Sequence, residues 1–458
     1  MKEVSSVLPL DTGIDRYKTK DVDFKFRGRA FQFALSHGLF SAADVDTGTR
    51  LLLKVFSKTL DEDLRQGNPP PKTILDAGCG VGIIGICAAA ALCLTEDTVV
   101  RCQDRDELAR LFTAYNARKN GIPSSRFSVH TEPLLGGNSQ DRWDLILSNI
   151  PAKAGASVLI DFILRSAGLL TPSGRALIVV VNPLAGFFYA QIQQGGIPLL
   201  CRETLKEHTV FMYGSSSTQA EPIQGGGAFL RNYPAYHRCS NSYAIGNIAY
   251  TLDAVHGVGD FDTPNGTVLV AAKLTNRLQG TQYFPLEQSL AILIHEPGQG
   301  HFPVWLMEYL SKPAGDHTFV LAGRNILALE ASRHNLKKTS NTIHIETCSV
   351  IDLGLYQEIL LETIRPRKGY DFIVAFPDSV PQTNQLTALW QGLEGLLVPG
   401  GIAVLGFSGT EAERFDRKKL KTFARLWDGN RKGFRAMAYQ KNSLDEKGFR
   451  LIRDLPNG

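Results

Sequence analysis

The stretch ILDAGCGVGIIG, residues 74–85, places three glycines two residues apart directly behind a short apolar run. Ile74 and Leu75 are predicted to lie on a β-strand, and a helix is predicted to begin near Ile83. Glycine is needed in such a turn because a Cβ would block the close approach of a ligand to the backbone. The exposed N–H groups and the positive end of the helix would then bind a nucleotide-like or carboxylate-bearing cofactor.

Two kinds of cofactor fit this turn. The spacing Gly80-x-Gly82-x-x-Gly85 matches the dinucleotide fingerprint, and Asp104 lies about twenty residues further on, where a ribose-binding carboxylate belongs. Asp76 favours S-adenosylmethionine, because its negative charge would repel a pyrophosphate but suits an ammonium group. A turn that merely packs helix on strand is the alternative without a ligand. The predicted cofactor-binding residues of the turn are Asp76, Gly78, Gly80 and Gly82.

The next predicted elements are consistent with an S-adenosylmethionine site. Residues 98–103 are typical of a second strand, with Asp104 at its carboxyl end. One carboxylate can accept hydrogen bonds from both hydroxyls of a ribose. Residues 107–119 have helical periodicity and end at Asn120-Gly121. We assign Asp104 to the ribose and Asp106 to the N-cap of this helix, although either carboxylate could serve only as a cap.

A further predicted strand, residues 144–147, leads into Ser148-Asn149-Ile150-Pro151. Ligands of open α/β sheets bind beyond the carboxyl ends of the strands, so Asn149 is expected to face the reacting methyl group and to contribute to the cofactor site. Its side-chain oxygen can accept a hydrogen bond from an amine nucleophile, while Pro151 stiffens the backbone beside it. Asn149 and Pro151 are therefore the predicted catalytic residues; a simple turn is the alternative.

Residues 30–182 resemble the small-domain class I methyltransferases, the group that contains the ribosomal-RNA guanine-N2 methyltransferases. The resemblance rests on the glycine turn, Asp104 and Asn149-Ile150-Pro151, together with residues 38–41 (GLFS) and 46–49 (DTGT). It implies S-adenosyl-L-methionine as the cofactor. It also implies that Phe40 lies over the cofactor and that Thr49 belongs to a helix beginning next to it. Asp46 is in any case a plausible N-cap for that helix.

The acceptor is less well defined by the sequence. Base-modifying members of this group carry Asn-Pro-Pro followed by an aromatic residue, whereas residues 149–153 here read NIPAK. Asn-Ile at this point is similar to the ribosomal-protein lysine methyltransferases. We therefore expect an amine of RNA as the first choice of acceptor and a ribosomal-protein amine as the second. A non-catalytic RNA- or protein-binding module and a nicotinamide-dependent oxidoreductase are the remaining alternatives.

Composition indicates a multidomain globular protein. The chain has 458 residues, 43% of them hydrophobic and 21% charged, with a formal net charge of +4. Its length predicts two or three domains, and its charge is compatible with nucleic acid without requiring it. No secretory signal or membrane-spanning run is predicted. The seven cysteines contain no C-x-x-C pair, so we expect reduced thiols, a cytoplasmic location and no bound zinc or other metal.

The sequence predicts that the two halves of the chain are copies of one unit. Asp144-Leu145-Ile146 matches residues 371–373, and Asn116 matches Asn335 within a similar helical pattern. The predicted fold is therefore α/β, with two tandem Rossmann-like methyltransferase domains, doubly wound around mostly parallel sheets. The expected limits are 1–213 for the catalytic domain, 214–240 for a Gly/Ser-rich linker and 241–458 for a degenerate domain. The alternative is generic β/α periodicity.

The second copy lacks the features that would bind the cofactor. Aligning Glu296 with Asp76 places Phe302 opposite Gly82, where its ring would fill the cofactor's space. Gly323 stands opposite Asp104, and residues 375–377 (AFP) contain no asparagine. In the resembled enzymes the C-terminal copy is the active one, whereas here the N-terminal copy is expected to be active.

Two basic segments are candidate RNA-binding surfaces. Residues 23–33 alternate between phenylalanines and a basic face formed by Lys25, Arg27 and Arg29, with Gly28 at a turn. Residues 414–432 are rich in lysine and arginine. A solvated strand face and a solvated helix face are the respective alternatives. The oligomeric state stays undefined.

Overall fold

The computed structural model describes residues 10–40, 43–92, 98–136, 141–216, 233–278, 289–310, 317–339, 343–377, 380 and 383–442. Described residues up to His237 form a compact N-terminal unit, with which Val380 and Thr383 are grouped. The other described residues from Arg238 onward form a C-terminal unit. Residues 217–232, most of the predicted linker, lie outside the described residues.

The N-terminal unit is an α/β fold with nine described strands. Its helices are α1 (Leu10–Tyr17), α2 (Thr47–Gln66), α3 (Ile83–Leu92), α4 (Glu107–Lys119), α5 (Ala156–Leu169) and α6 (Asn182–Gln194). Its strands are β1 (Lys20–Phe26), β2 (Arg29–Leu35), β3 (Thr73–Ala77), β4 (Val99–Asp104), β5 (Phe127–Thr131), β6 (Trp143–Asn149), β7 (Leu170–Val181), β8 (Leu199–Thr204) and β9 (His208–Gly214). A 3₁₀ turn, Pro234–Tyr236, follows.

Seven of these strands form one sheet in the order β5-β4-β3-β6-β7-β9-β8. The strands from β5 to β7 are parallel, whereas β9 pairs antiparallel with β7 and β8 antiparallel with β9. Buried parallel strands are typically continuous apolar runs, and residues 176–180 (ALIVV) are all buried. The strand order reverses at β3 and β6, so the carboxyl ends of these strands form the expected ligand-binding crevice.

A separate hairpin of β1 and β2 confirms the alternation predicted for residues 23–33. The two strands pair antiparallel, with Phe26 opposite Arg29. Phe24, Phe26, Phe31 and Phe33 are all buried. Arg27 and Gly28 form the turn with φ of 47° and 76°, respectively.

The C-terminal unit repeats the same design. Its helices are α7 (Gly266–Leu278), α8 (His301–Leu310), α9 (Ile326–Thr339), α10 (Gln357–Glu362), α11 (Gln385–Leu396) and α12 (Gly409–Arg417). Its strands are β10 (His237–Ile245), β11 (Ile248–Val255), β12 (Ala291–His295), β13 (Thr318–Gly323), β14 (His344–Ser349), β15 (Tyr370–Ala375), β16 (Leu397–Ser408), β17 (Phe423–Arg431) and β18 (Phe434–Lys441). The sheet order β14-β13-β12-β15-β16-β18-β17 is that of the first sheet. The prediction of two tandem Rossmann-like domains is confirmed.

Equivalent buried asparagines show that the two units are copies and not merely similar folds. Asn116 accepts a hydrogen bond from Ala34 N and donates to the carbonyl oxygens of Ala34 and Val81. Asn335 makes the same three contacts with Asp253 and Gln299. In each unit the asparagine joins the hairpin to the turn after the first parallel strand.

The alignment of the second turn predicted from sequence is wrong by two residues. Positive φ angles occur at Gly78, Gly80 and Gly82 in the first unit and at Glu296, Gly298 and Gly300 in the second. Gly300 is therefore the counterpart of Gly82. Phe302 lies within α8, and Ile294 on β12 takes the position of Asp76 on β3. The acidic residue that guided the sequence alignment, Glu296, occupies the position of Gly78.

The interpretation of residues 414–432 as a single helix face is also wrong. Helix α12 ends at Arg417, and most of the basic residues that follow lie on or beside β17. A strand pairing with β18 overrides the charge pattern there, because that pairing continues the sheet.

Candidate functional site

The three glycines of the first turn have different surroundings. All have positive φ, at 79°, 57° and 88° for Gly78, Gly80 and Gly82. A Cβ added to Gly80 would meet no heavy atom within 4 Å, so this glycine borders open space. A Cβ on Gly82 would lie 2.8 Å from Thr113 Cγ2, whereas one on Gly78 would lie 3.4 Å from Leu134 Cδ2. Gly80 is therefore the glycine that a ligand can approach, while Gly82 allows the turn to pack on α4.

Asp76 is a buried carboxylate with one unused oxygen. Its Oδ2 accepts a hydrogen bond of 2.8 Å from Gly85 N at the start of α3. Its Oδ1 is buried and has no hydrogen-bond partner among the described residues. Burial raises the pKa of Asp76 to about 7, an effect that the Gly85 hydrogen bond opposes and nearby Asp104 reinforces. A buried carboxylate of this kind requires a cationic partner to be stable in its charged form.

Asp104 lies at the carboxyl end of β4 and binds the glycine turn. Its Oδ2 accepts from Gly80 N at 3.0 Å, and its Oδ1 accepts from Asp106 N at 3.1 Å. Burial raises its pKa, and the charge of Asp106 adds to this effect. Asp106 is the N-cap of α4 and accepts from Leu108 N at 2.9 Å, as predicted. The two carboxylates thus have separate structural roles.

Asn149 is held by residues that are far away in sequence. Its Nδ2 donates to both carboxylate oxygens of Asp46 at 3.2 Å and to Thr49 Oγ1 at 3.1 Å. Asp46 is the N-cap of α2, as predicted, and accepts from Gly48 N and Thr49 N. The Asn149 amide is oriented by this network. No described residue donates to its Oδ1, which remains available as an acceptor.

Two other predicted residues, Pro151 and Phe40, are not members of this hydrogen-bond network. Pro151 is exposed, and its carbonyl accepts from Ala154 N at 3.1 Å. Phe40 is 72% exposed and stands next to residues 41–42, which lie outside the described residues. Of the predicted site residues, Asn149 contacts Thr49, and Gly80 contacts Asp104. The roles assigned to these four residues, to Pro151 and to Phe40 stay predictions.

Two tyrosines near the end of the predicted linker were not among the predicted site residues. Tyr236 is buried, and its pKa is raised by burial, with Asp161 and Asp104 among the nearby charges. Tyr233 packs edge-on against it and donates to Glu132 Oε2 at 2.6 Å. The 3₁₀ turn is fixed to α5 by a 2.8 Å bond from Ser157 Oγ to the Ala235 carbonyl. In the sequence, the closely spaced Tyr233 and Tyr236 are the signal that points to this contact.

The equivalent turn of the C-terminal unit lacks this chemistry. Ile294, fully buried, replaces Asp76, and Gly323 replaces Asp104. The Glu296 carboxylate fills the space beside Gly323, lying 3.0 Å from where a Cβ would stand, and accepts from Arg324 N. Phe376 takes the position of Asn149 and packs on Phe302 with ring centroids 5.4 Å apart. The unit retains the fold without the carboxylates or the amide.

Comparison with known proteins identifies the family. A family model described as the methyltransferase small domain matches residues 30–191. Over 158 residues the chain is 32% identical to the uncharacterized protein YbxB of Bacillus subtilis (strain 168), a match covering 34% of this chain and 72% of YbxB. The chain belongs to the methyltransferase small-domain family. Its N-terminal unit is an S-adenosylmethionine-dependent methyltransferase domain.

Characterized relatives match over shorter stretches. A ribosomal protein L11 methyltransferase of Marinobacter nauticus is 37% identical over 123 residues, covering 27% of this chain and 36% of that protein. The ribosomal RNA small subunit methyltransferase C of Photorhabdus laumondii is 29% identical over 154 residues, covering 31% and 38%, respectively. The chain thus spans little more than a third of these two relatives.

A solved structure shares the fold across both units. The T. thermophilus 16S rRNA guanine-N2 methyltransferase (RsmC), in complex with AdoMet and guanosine, has a TM-score of 0.60 and 16% sequence identity. The likeness covers 93% of this chain and 99% of that one.

None of the helices in the described part of the chain has the length and the apolar composition that a membrane-spanning helix requires.

The methyltransferase-domain residues fit S-adenosylmethionine. The unpartnered, buried Oδ1 of Asp76 suits the cofactor's ammonium group, and the open space at Gly80 admits a ligand close to the backbone. Asp104 would hold the ribose through its carboxylate. When bound, the cofactor supplies a methyl group that its sulfonium has already activated.

Proposed function

We propose that this methyltransferase modifies an exocyclic amine of a base in RNA, with Asn149 binding the acceptor amine. The observation that carries the proposal is the orientation of the Asn149 amide, whose Nδ2 is committed to Asp46 and Thr49. The available Oδ1 can accept a hydrogen bond from an amine but cannot donate one. This geometry selects an N–H nucleophile over a carbonyl oxygen.

The protein's contribution to the reaction would be alignment. Accepting a hydrogen bond from the amine fixes its direction and turns its lone pair toward the methyl group. Holding the nucleophile in a near-attack geometry replaces a costly loss of translational and rotational freedom. The Asp46 carboxylate keeps the Asn149 amide from rotating, so the acceptor position is set before substrate binds.

The likeness to known proteins supports RNA over protein as the acceptor. The solved RsmC fold extends over both units of this chain, and by sequence the ribosomal RNA methyltransferase C and L11 methyltransferase relatives match 31% and 27% of it, respectively. The RsmC structure contains guanosine, whose exocyclic amine is an acceptor of the kind that Asn149 would bind. A ribosomal-protein amine is the second candidate, supported by the Asn149-Ile150 sequence and the L11 relatives.

The N-terminal hairpin supplies a candidate RNA-binding surface, although not from every predicted residue. Arg27 is bound to Asp61 at 2.7 Å, and Arg29 donates to the Asn120 carbonyl at 2.6 Å. Lys25 and Lys58, which line the same shallow depression, have no ion-pair partner among the described residues. We propose that Lys25 and Lys58 contact phosphates, with Arg27 and Arg29 mainly shaping the hairpin.

In this proposal residues 1–213 form the catalytic domain, residues 214–240 form the linker, and residues 241–458 form a domain that does not bind the cofactor. The absence of counterparts to Asp76, Asp104 and Asn149 in the C-terminal unit supports this division.

Methyl transfer from tritiated S-adenosylmethionine into an extract of cells lacking the gene tests the acceptor. We expect nuclease-sensitive label in RNA with the wild-type protein and loss of that label with Asn149→Ala. The exposed Asn241 of the C-terminal unit provides the control Asn241→Ala, which should retain activity. Label that resists nuclease and is removed by protease would overturn the RNA proposal in favour of a protein amine.

A further inference from the structure

The C-terminal unit contains a groove of about 670 Å³, whereas the equivalent position of the catalytic unit holds the shallower depression of about 400 Å³ lined by Lys25 and Lys58. It lies between the tip of the β10–β11 hairpin, helices α7 and α8, and strand β17. Its volume is within the range of about 300–1,000 Å³ typical of ligand pockets. None of the described residues lining it belongs to the turn at Glu296–Gly300, so the groove is separate from the disabled cofactor site.

Small residues open this groove where the catalytic unit has paired charges. In the catalytic unit Arg27 at the hairpin tip binds Asp61 at 2.7 Å, and Lys54 binds Glu203 at 3.3 Å. The C-terminal unit has Gly246 at the hairpin tip and Ala272 and Gly429 at the positions of Lys54 and Glu203.

Sheet register establishes these equivalences. Glu203 pairs with Val210, the third residue of β9. Gly429 pairs with Ala436, the third residue of β18. Gly48 lies against His208, the first residue of β9, and Gly266 lies against Phe434, the first residue of β18. Ala272 is six residues beyond Gly266, as Lys54 is six beyond Gly48.

On the α8 side of the groove, by contrast, small residues have been replaced by large aromatic ones. Trp305 and Tyr309 take the places of Cys87 and Ala91 in α3 and stack with ring centroids 5.1 Å apart and planes inclined by 22°. Trp305 is 2% exposed, and its Nε1–H has no hydrogen-bond partner within the described part of the chain. A buried donor without a partner is unusual in a protein core and indicates a position where a bound acceptor could be accommodated.

The groove is also positively charged. Lys273, Arg277 and Arg431 line it with exposed side chains that have no hydrogen-bond or ion-pair partner among the described residues. The carboxylate in the groove, Asp428, is bound to Arg435, which accounts for its lowered pKa. Three available cations therefore face a space whose acidic group is already neutralised.

We propose that this groove binds a single-stranded segment of RNA. Cations that follow the backbone, together with aromatic rings on which a base can stack, are the combination that single-strand-binding proteins use. Lys273, Arg277 and Arg431 would contact phosphates, and a base would pack beside Tyr309. The inference rests on the proposed RNA acceptor and assigns to the C-terminal unit the task of holding the substrate outside the active site.

Fluorescence anisotropy of a fluorescein-labelled oligouridine with the full-length protein, measured over a range of salt concentrations, tests the groove. The double variant Lys273→Glu/Arg277→Glu should bind at least about tenfold more weakly and lower the salt dependence by about two phosphate contacts. Lys337→Glu/Lys368→Glu makes the same change in net charge at exposed positions of the same unit, outside the groove, and should bind like wild type.

A second pair of variants tests stacking. Tyr309→Ser should weaken binding by roughly tenfold because it removes the ring on which a base would stack, whereas Tyr309→Phe should retain most of the affinity. Equal affinities of wild type, groove variants and control variants would overturn the groove proposal, as would wild-type protein that does not bind the oligonucleotide at low salt. Methyl label in protein would refute the proposed acceptor without altering the anisotropy result, so the two failures are distinguishable.

Discussion

The carboxylates of Asp46, Asp76 and Asp104 lie in one unit but in different surroundings. Asp46 caps a helix and accepts from the Asn149 amide, so in the proposed function it acts on the acceptor side. Asp76 is fully buried with an unused oxygen, and Asp104 binds the backbone of Gly80. The sequence shows only that all three residues are aspartates. Their different roles become visible in their hydrogen-bond partners.

Replacing Asp104 should weaken cofactor binding far more than replacing its neighbour. Asp104→Ala removes the carboxylate proposed to accept from both ribose hydroxyls, and each such bond contributes about 1.5–3 kcal/mol, so the Kd should rise at least tenfold. Asp106→Ala should instead lower the free energy of unfolding by about 1 kcal/mol through loss of the helix cap. Calorimetric titration and thermal unfolding of both variants would measure this. Similar affinities of wild type and Asp104→Ala would refute the ribose assignment.

Asp76 should make the stability of the cofactor-free protein depend on pH. Its pKa in the folded protein is raised to about 7, above the value of the unfolded chain. Its favourable contribution is therefore fully present below about pH 4 and is lost as pH rises through about 7. Asp76→Asn should exceed wild type in stability at pH 8, by as much as roughly 4 kcal/mol, with a difference that shrinks toward pH 4. Thermal unfolding of both proteins from pH 4 to 8 tests this, and a difference independent of pH would contradict it.

Helix α2 couples the fold to the proposed chemistry through its first turn. Its N-cap, Asp46, is separated from Asn149 by 103 positions, yet their side chains are in contact. The cap could be predicted because capping depends on residues within one helical turn. The contact with Asn149 could not be predicted from sequence spacing, because it depends on how β6 and α2 are positioned in the folded domain.

Substitution of Asp46 should separate helix capping from acceptor alignment. Asp46→Ala loses both functions, so the free energy of unfolding should fall by about 0.5–2 kcal/mol and kcat should fall with it. Asp46→Asn keeps a good cap and should unfold near the wild-type temperature. Cofactor affinity should change little in either variant. A kcat for Asp46→Ala equal to that of wild type would show that Asn149 is aligned without this carboxylate.

The turn after β12 shows where sequence comparison fails. Helix α4 was predicted correctly over residues 107–119 because its periodicity and caps are local signals. The second turn was aligned through the acidic residue Glu296, whereas the backbone aligns Gly300 with Gly82. Positive φ, and not charge, is the property that the turn conserves between the two units, since only a residue tolerating that conformation fits there.

Duplication followed by divergence has left the two units with the same sheet order and different chemistry. The catalytic unit has carboxylates at its turn, an ion pair at its hairpin tip and another ion pair between α2 and β8. In the C-terminal unit these features are replaced by Gly323, Gly246 and Gly429, and aromatic rings have been added on α8. The tandem fold could be predicted from the internal repeat, whereas the groove could not, because it results from side chains that are absent.

The protein should bind one molecule of S-adenosylmethionine per chain. Ile294 and Gly323 leave the second turn without either carboxylate, and Glu296 places its own charge beside Gly323. Calorimetric titration should therefore give a stoichiometry near one, and Asp104→Ala should weaken that single site. A second site of comparable affinity that survives Asp104→Ala would contradict the view of the C-terminal unit as degenerate.

The chemical identity of the methylated product tests the central claim most directly. RNA labelled by the wild-type protein would be digested to nucleosides, which would then be separated and identified by mass spectrometry. We predict one product methylated on an exocyclic base amine, absent when Asn149→Ala replaces the wild-type protein. Label on a ring carbon or a ribose oxygen, or in protein alone, would contradict the account.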